Sequence, residues 1–192
     1  MIISIFNKKG GTGKTSLAFN IAKDLDFFLL SNDDSNIESL YPHKAKVLEK
    51  IYIPKTGNII FDLGGFIDAD LINLFKQSNL IIIPTTLDVN AIKRTINAVL
   101  EIKNYNKNIM LIINRISPKT TSKFKESIDV LKKLSLPLYR IRESEAINNS
   151  IHTGKTILEL SLGSPLAKNA YKGIVSDYEA ILHVIKEQMN DL

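Results

Sequence analysis

Apolar runs of strand length alternate along this chain with amphipathic stretches of helix length, and a turn separates each from the next. That alternation is the signature of an α/β fold. The candidate strands are 2–7, 27–31, 59–62, 80–84, 109–114 and 138–141. Most are unbroken Ile, Leu and Phe without polar alternation, as parallel strands covered on both faces require. The candidate helices are 14–25, 69–77, 89–104, 121–134, 143–150 and 165–188. In the last of these, Leu166, Ala170, Tyr171, Ile174, Val175, Tyr178, Ile181, Leu182 and Ile185 recur at helical spacing and predict one buried stripe. Residues 34–57 are less legible, and predict a short helix around 45–50 within a loop. The expected architecture is α/β, a doubly wound and mainly parallel sheet with helices on both faces and its ligand at the C-terminal ends of the strands.

Composition narrows this picture. With 192 residues, 44% of them apolar, the chain predicts a single domain over residues 1–192 with a sizeable core. The absence of cysteine excludes disulfides and thiolate-held metals or iron–sulfur clusters, and fits a reducing cytoplasm. No apolar stretch approaches the roughly 18 residues of a membrane span. The C-terminal residues 186–192 are not basic, which speaks against a helix lying on a membrane surface. A cytoplasmic protein without membrane contact is the expectation. The net charge of +5 is uneven: between Lys103 and Arg142 there are ten Lys or Arg residues against two acids, Glu126 and Asp129. Such a stretch attracts a polyanion such as nucleic acid, or forms ordinary solvated helix faces; charge alone does not decide.

The most specific signal follows the first strand. Lys8-Lys9-Gly10-Gly11-Thr12-Gly13-Lys14-Thr15-Ser16 leads directly into the helical pattern Leu17, Ala18, Ile21, Ala22, Leu25. Strand, glycine loop and helix start stand in the order a phosphate cradle needs. Glycines let backbone N–H groups turn inward, and the free N–H groups at the helix start add partial positive charge. Lys14 is placed to reach β- and γ-phosphates, and the Thr15 hydroxyl to bind Mg²⁺. A second Gly-Lys-Thr at Gly154-Lys155-Thr156 follows no apolar strand, and reads as a coincidence in a loop. A cradle of this kind also needs a carboxylate at the end of a neighbouring strand. Asp62, closing the run Ile59-Ile60-Phe61 and followed by Gly64-Gly65, supplies it.

The general phosphate-loop pattern has glycine where Lys8 stands. What remains, KGGTGKT, resembles the deviant Walker A motif of the ParA/MinD family of ATPases. The resemblance implies that Lys9 is a signature lysine that crosses a face-to-face homodimer to the partner's phosphates. Asp62 then corresponds to the Walker B residue. The family's Asp-x-Asp-Pro-Gln segment is represented by Ser31-Asn32-Asp33-Asp34-Ser35, so Ser31 replaces its first aspartate and the Pro-Gln pair is missing. Asp33 aligns best with the carboxylate that orients the attacking water or the metal, with Asp34 as its rival. Leu80 to Asp88, with Pro84-Thr85, is similar to the family strand ending in Pro-Thr, and Asn114-Arg115 to its Asn-Arg strand end. By this likeness Asn114 bonds adenine and favours ATP.

Within the family the chain resembles the short ParA-type partition ATPases, because it begins at the loop without a helix-turn-helix. The expected partners are a second copy with ATP, non-specific DNA and a centromere-binding protein, in a nucleoid-associated setting. The expected DNA contacts are Arg140, Arg142, Lys155, Lys168 and Lys172, on a face that a sandwich dimer leaves open. The alternatives are a MinD-like, conjugation or secretion positioning ATPase or nucleotide switch, and an ATP-dependent metabolic enzyme on the same fold.

Overall fold

The apolar runs assemble into one seven-stranded sheet in which every neighbouring pair is parallel. A computed structural model describes residues 1–117 and 122–191, without the side chains of residues 122 and 123. In chain order the elements are β1 (Ile2–Phe6), α1 (Lys14–Asp24), β2 (Phe28–Ser31), α2 (Ile37–Leu40), β3 (Ala45–Val47), β4 (Ile59–Leu63), α3 (Ala69–Gln77) and β5 (Leu80–Thr85). There follow α4 (Val89–Ile102), β6 (Ile109–Ile116), α5 (Ser122–Lys132), β7 (Leu138–Arg142), α6 (Glu145–Thr153), α7 (Ile157–Ser161) and α8 (Pro165–Asn190). The strand order is β3-β2-β4-β1-β5-β6-β7. The order reverses around β1, so the loop after it opens at the crevice where doubly wound sheets take their ligands.

Strand residues alternate between two separate cores. Ile3, Ile5, Ile60, Leu80, Ile82, Met110 and Ile112 face α1 and the C-terminal helices, through Leu17, Ile21, Ile147, Ile157, Ile174 and Tyr178. Phe6, Ile59, Phe61, Ile81, Ile83, Leu111 and Ile113 face α3, α4 and α5, through Leu71, Phe75, Ile92, Val99 and Leu131. Because both faces are covered, the central strands are mostly apolar, and each buried side chain of this size contributes about 1.5–3 kcal/mol.

Two expectations need correction. Residues 45–50 do not form a helix: Ala45–Val47 is the edge strand β3, in register with Leu29 to Ser31, and the short helix lies upstream at Ile37–Leu40. Backbone pairing decides the matter, with Leu29 N–H donating to Lys44 O and Leu48 N–H to Ser31 O. The expected stripe on α8 is not buried from its start: Leu166 is 79% exposed, Tyr171 packs partly buried against the core, and full burial begins at Ile174. The first turns of α8 run beside α7, whose five residues are too few to cover them. The second Gly-Lys-Thr, Gly154-Lys155-Thr156, lies as expected in a loop, the joint between α6 and α7. Gly154 ends α6 at φ 67°, and Thr156 opens α7 in a reciprocal capping box with Glu159. The expected helix start at Thr121 lies outside the described residues.

Candidate nucleotide-binding site

The loop between β1 and α1 has the form of an anion cradle. Gly13 caps α1 at φ 87° without a side-chain hydrogen bond, so the first N–H groups of the helix keep their capacity for an anion. Gly11 also takes a positive φ, of 76°. Lys14 and Thr12 are buried, while Gly10 and Gly11 are open to solvent and Thr15 and Ser16 are partly so. The loop is braced from below. Asn114, 3% exposed, donates from Nδ2 to Thr12 O at 3.1 Å and accepts at Oδ1 from Arg115 N–H at 2.9 Å. A Cβ on Gly13 would stand 2.1 Å from Asn114 Nδ2, so glycine is required there for space as well as for φ. This placement follows from the irregular end of β6, where the register shifts and Arg115 adopts φ 58°. Asn114 thereby turns towards the loop and Arg115 towards solvent. Beside them lies a cleft lined by Arg115, Glu143, Ser144, Glu145, Ile147 and Asn148.

The two lysines before the glycines have different fates. Lys8 Nζ pairs with Glu101 Oε2 at 2.5 Å, on the last full turn of α4. Lys9 has no ion-pair partner among the described residues and sits half-buried. Its charge reaches Asp88, the N-cap of α4, whose carboxyl is held below the usual range first by the Thr86 hydroxyl, then by Ala91 N–H, and in part by Lys9.

Parallel register aligns the carboxylate. Asp62 lies opposite Ile5 of β1 on one side and Ser31 of β2 on the other. It is fully buried, and its Oδ2 accepts from Thr15 Oγ1 at 2.7 Å. Its Oδ1 is buried without a partner, which is costly unless a ligand fills the gap. Burial pushes the Asp62 carboxyl up, and the charge of Asp33 adds to this, against hydrogen bonds from Thr15 and Ser31 and the charge of Lys14. An unsatisfied carboxylate oxygen beside a threonine hydroxyl is a donor set that fits Mg²⁺, which takes one or two protein oxygens and otherwise water and phosphate. When bound, the ion would neutralise phosphate charge, with Thr15 and Asp62 holding it.

The end of β2 is tied to the turn after Asp62. Asn32 Nδ2 donates to Gly64 O at 3.1 Å, and Asn32 Oδ1 accepts from Gly64 N–H at 2.8 Å. Asn32 was not among the residues expected to matter; its position between Ser31 and Asp33 was the only available hint. Asp33 lies over Gly64, where a Cβ would meet its Oδ2 at 3.2 Å. Asp34 is exposed. Ser31 Oγ stands 3.4 Å from Asp62 Oδ2, so the residue in place of the expected aspartate puts a neutral hydroxyl beside the buried carboxylate.

The basic residues expected at a DNA face are spread over three elements. Arg140 is exposed on β7. Arg142 is committed to Asp177, donating from Nε at 2.7 Å and from Nη2 at 2.9 Å, and it lies over Gly173 of α8. Lys168 and Lys172 are exposed one turn apart on the same helix, and Lys155 is exposed in the α6–α7 joint. Among the described residues no helix is long and apolar enough to cross a membrane.

Comparison with known proteins agrees with this geometry. A family model described as the CobQ/CobB/MinD/ParA nucleotide binding domain matches residues 3–157. Comparison with curated protein sequences returns no significant match. Among solved structures, apo McdA from Cyanothece is similar at 16% identity, covering 92% of this chain and 98% of that one, with a TM-score of 0.68. A plasmid partition protein from Borrelia burgdorferi bound to AMPPNP is similar at 19% identity, covering 93% and 98%, with a TM-score of 0.66. The cell division ATPase MinD of Pyrococcus furiosus follows at 18%, covering 94% and 98%, with a TM-score of 0.59. The family match over residues 3–157, on a seven-stranded parallel sheet with its glycine cradle at the reversal point, places this chain in the CobQ/CobB/MinD/ParA family of nucleotide-binding domains.

Proposed function

We propose that the protein is a ParA-type ATPase that binds Mg-ATP, pairs with a second copy around nucleotide, binds DNA non-specifically in the paired form, and hydrolyses ATP slowly to reset. The observation that carries this reading is the contrast between the two lysines. Lys8 is neutralised by Glu101, whereas Lys9, beside the cradle, has no ion-pair partner among the described residues. A cation so held is ready for the phosphates of a facing subunit, where it would offset charge developing in phosphoryl transfer. Lys14 and the N–H groups of residues 10–16 would hold the triphosphate, with the base in the cleft beside Asn114 and Arg115. Asp33, over Gly64, is the carboxylate proposed to orient water. Exposed Arg140, Lys155, Lys168 and Lys172 are the proposed phosphate contacts on DNA, and Arg142 contributes less because Asp177 neutralises it. A centromere-binding protein would complete a partition system. Plasmid partition is the description carried by one similar structure, and another is a MinC:MinD complex.

One observation favours a second reading. Ser31 leaves the active end of β2 with one carboxylate fewer than the family pattern, as a positioning switch that turns over little ATP would have. ATP turnover with and without duplex DNA separates the two. Stimulation by DNA supports partition; binding without turnover supports the switch.

A further inference from the structure

Lys9 takes its backbone position from a buried amide at the end of β1. Asn7, 1% exposed, donates from Nδ2 to Pro84 O at 2.8 Å and to Thr95 Oγ1 at 2.9 Å. Its Oδ1 accepts from Lys9 N–H at 2.9 Å. The amide is oriented from both sides, since the Pro84 carbonyl only accepts and the Lys9 N–H only donates. The row continues through Thr95 Oγ1, which donates to Thr85 Oγ1 at 2.9 Å, and Thr85 Oγ1, which donates to Thr86 O at 3.2 Å. Asn7, Thr85 and Thr95 are all buried, and every donor in the row finds an acceptor. Breaking such a chain strands a polar group in a low-dielectric interior, where no water replaces the lost partner.

The row joins the start of the loop, the end of β5 and the middle of α4. A second tie runs to the same helix, from Lys8 Nζ to Glu101. Helix α4 thus holds Lys8 by its side chain and, through Asn7, Lys9 by its backbone. The anchor lies on the near side of the glycines. Beyond the first two glycines the partners differ: Asn114 holds Thr12 O and Asp62 holds the Thr15 hydroxyl, while a long contact from Thr12 Oγ1 to Lys9 O, at 3.4 Å, links back to the lysine.

We infer that Asn7 is a positioning residue for Lys9, pinned by Thr95, and that α4 sets where the lysine is presented to a second copy of this chain. The inference rests on the reading of Lys9 as the lysine given to that copy. Its consequence is a separation: disturbing Asn7 weakens pairing while leaving nucleotide binding.

Asn7→Asp exchanges Nδ2 for an oxygen, setting an acceptor against the Pro84 carbonyl at unchanged shape. Thr95→Val removes the hydroxyl at nearly constant shape, and Thr95→Ser restores it. For these three and Lys9→Ala, the melting temperature, the Mg-ATP affinity by calorimetry and the mass in saturating Mg-ATP by light scattering are measured. Asn7→Asp and Thr95→Val are expected to bind Mg-ATP within about threefold of the unaltered protein and to self-associate about tenfold more weakly, the scale of one buried hydrogen bond. Thr95→Ser is expected to behave as the unaltered protein. If nucleotide affinity and pairing fall in proportion, Asn7 is merely structural and the inference is overturned. If Asn7→Asp does not fold, the threonine pair decides: Thr95→Val pairing normally, or Thr95→Ser failing with it, overturns the inference. If Lys9→Ala pairs normally, the reading of Lys9 fails and the inference goes with it. If Lys9→Ala is defective while Asn7→Asp and Thr95→Val pair normally, that reading stands and only the role of Asn7 falls.

Discussion

Asp62 concentrates the conflict between stability and chemistry. Burial raises its folded pKa above the unfolded value, so its protonated form is the one that folding favours. The contribution is complete below the ordinary aspartate value of about 3.9 and is lost as pH rises through the raised folded value. At neutral pH that contribution is diminished, and the buried carboxyl with its unsatisfied Oδ1 works against the metal-free fold. Asp62→Asn is expected to melt higher than the unaltered protein at pH 7 without Mg²⁺, by roughly 2–4 °C per kcal/mol relieved, and the gain should shrink towards pH 4. The same variant is expected to lose the part of its ATP affinity that depends on Mg²⁺. A thermal scan at the two pH values, paired with calorimetry with and without Mg²⁺, checks both. Asn114 carries a second residue-scale prediction. Its Nδ2 holds Thr12 O and its Oδ1 holds Arg115 N–H, so Asn114→Ala should lower ATP and GTP affinity alike, by about 1–3 kcal/mol for the stranded carbonyl. Loss of ATP affinity alone, with GTP unchanged, would assign the side chain to the base instead.

At the scale of elements, the tie between β7 and α8 separates structure from binding. Asp177 is partly buried; burial works to raise its carboxyl, yet hydrogen bonds from the Arg142 side chain and backbone, with its charge, hold it below the usual range. Arg142→Ala is expected to lower the melting temperature, since it leaves that partly buried carboxylate with only the backbone N–H of residue 142 as a partner. Arg140→Ala should leave melting unchanged, weaken all DNA sequences alike, and reduce the salt slope by about 0.9 per lost phosphate contact. The elements legible in the sequence were those whose pattern is set by burial. Apolar runs such as Leu80 to Ile83 have one explanation between two cores, and α3 has its expected ends, with the Asp68 side chain capping the first. What escaped was short and set by partners. β3 has three residues and is a strand only because β2 lies beside it. α7 has five, and its one local signal, Thr156 with Glu159 three residues on, was overshadowed by the Gly-Lys-Thr spelling. In the site, the glycines, Lys14, Thr15 and Asp62 were readable because phosphate and metal chemistry fix their types and spacing. Asn7 and Asn32 were not, because each amide bonds a backbone carbonyl distant in sequence, that of Pro84 and that of Gly64.

Across the molecule, the proposed function makes self-association the output of nucleotide binding, so fast chemistry is unnecessary. The sheet places the cradle at its reversal point, α4 holds the two lysines that precede the glycines, and the basic residues of β7 and α8 stand on separate elements from the cradle. The most direct measurement is the solution mass by light scattering in saturating Mg-ATP, in Mg-ADP, and in Mg-ATP with duplex DNA. The 21.5 kDa chain is expected alone in Mg-ADP, as a species of twice that mass in Mg-ATP, and as the doubled species on DNA. The same mass in both nucleotides would contradict the proposed function.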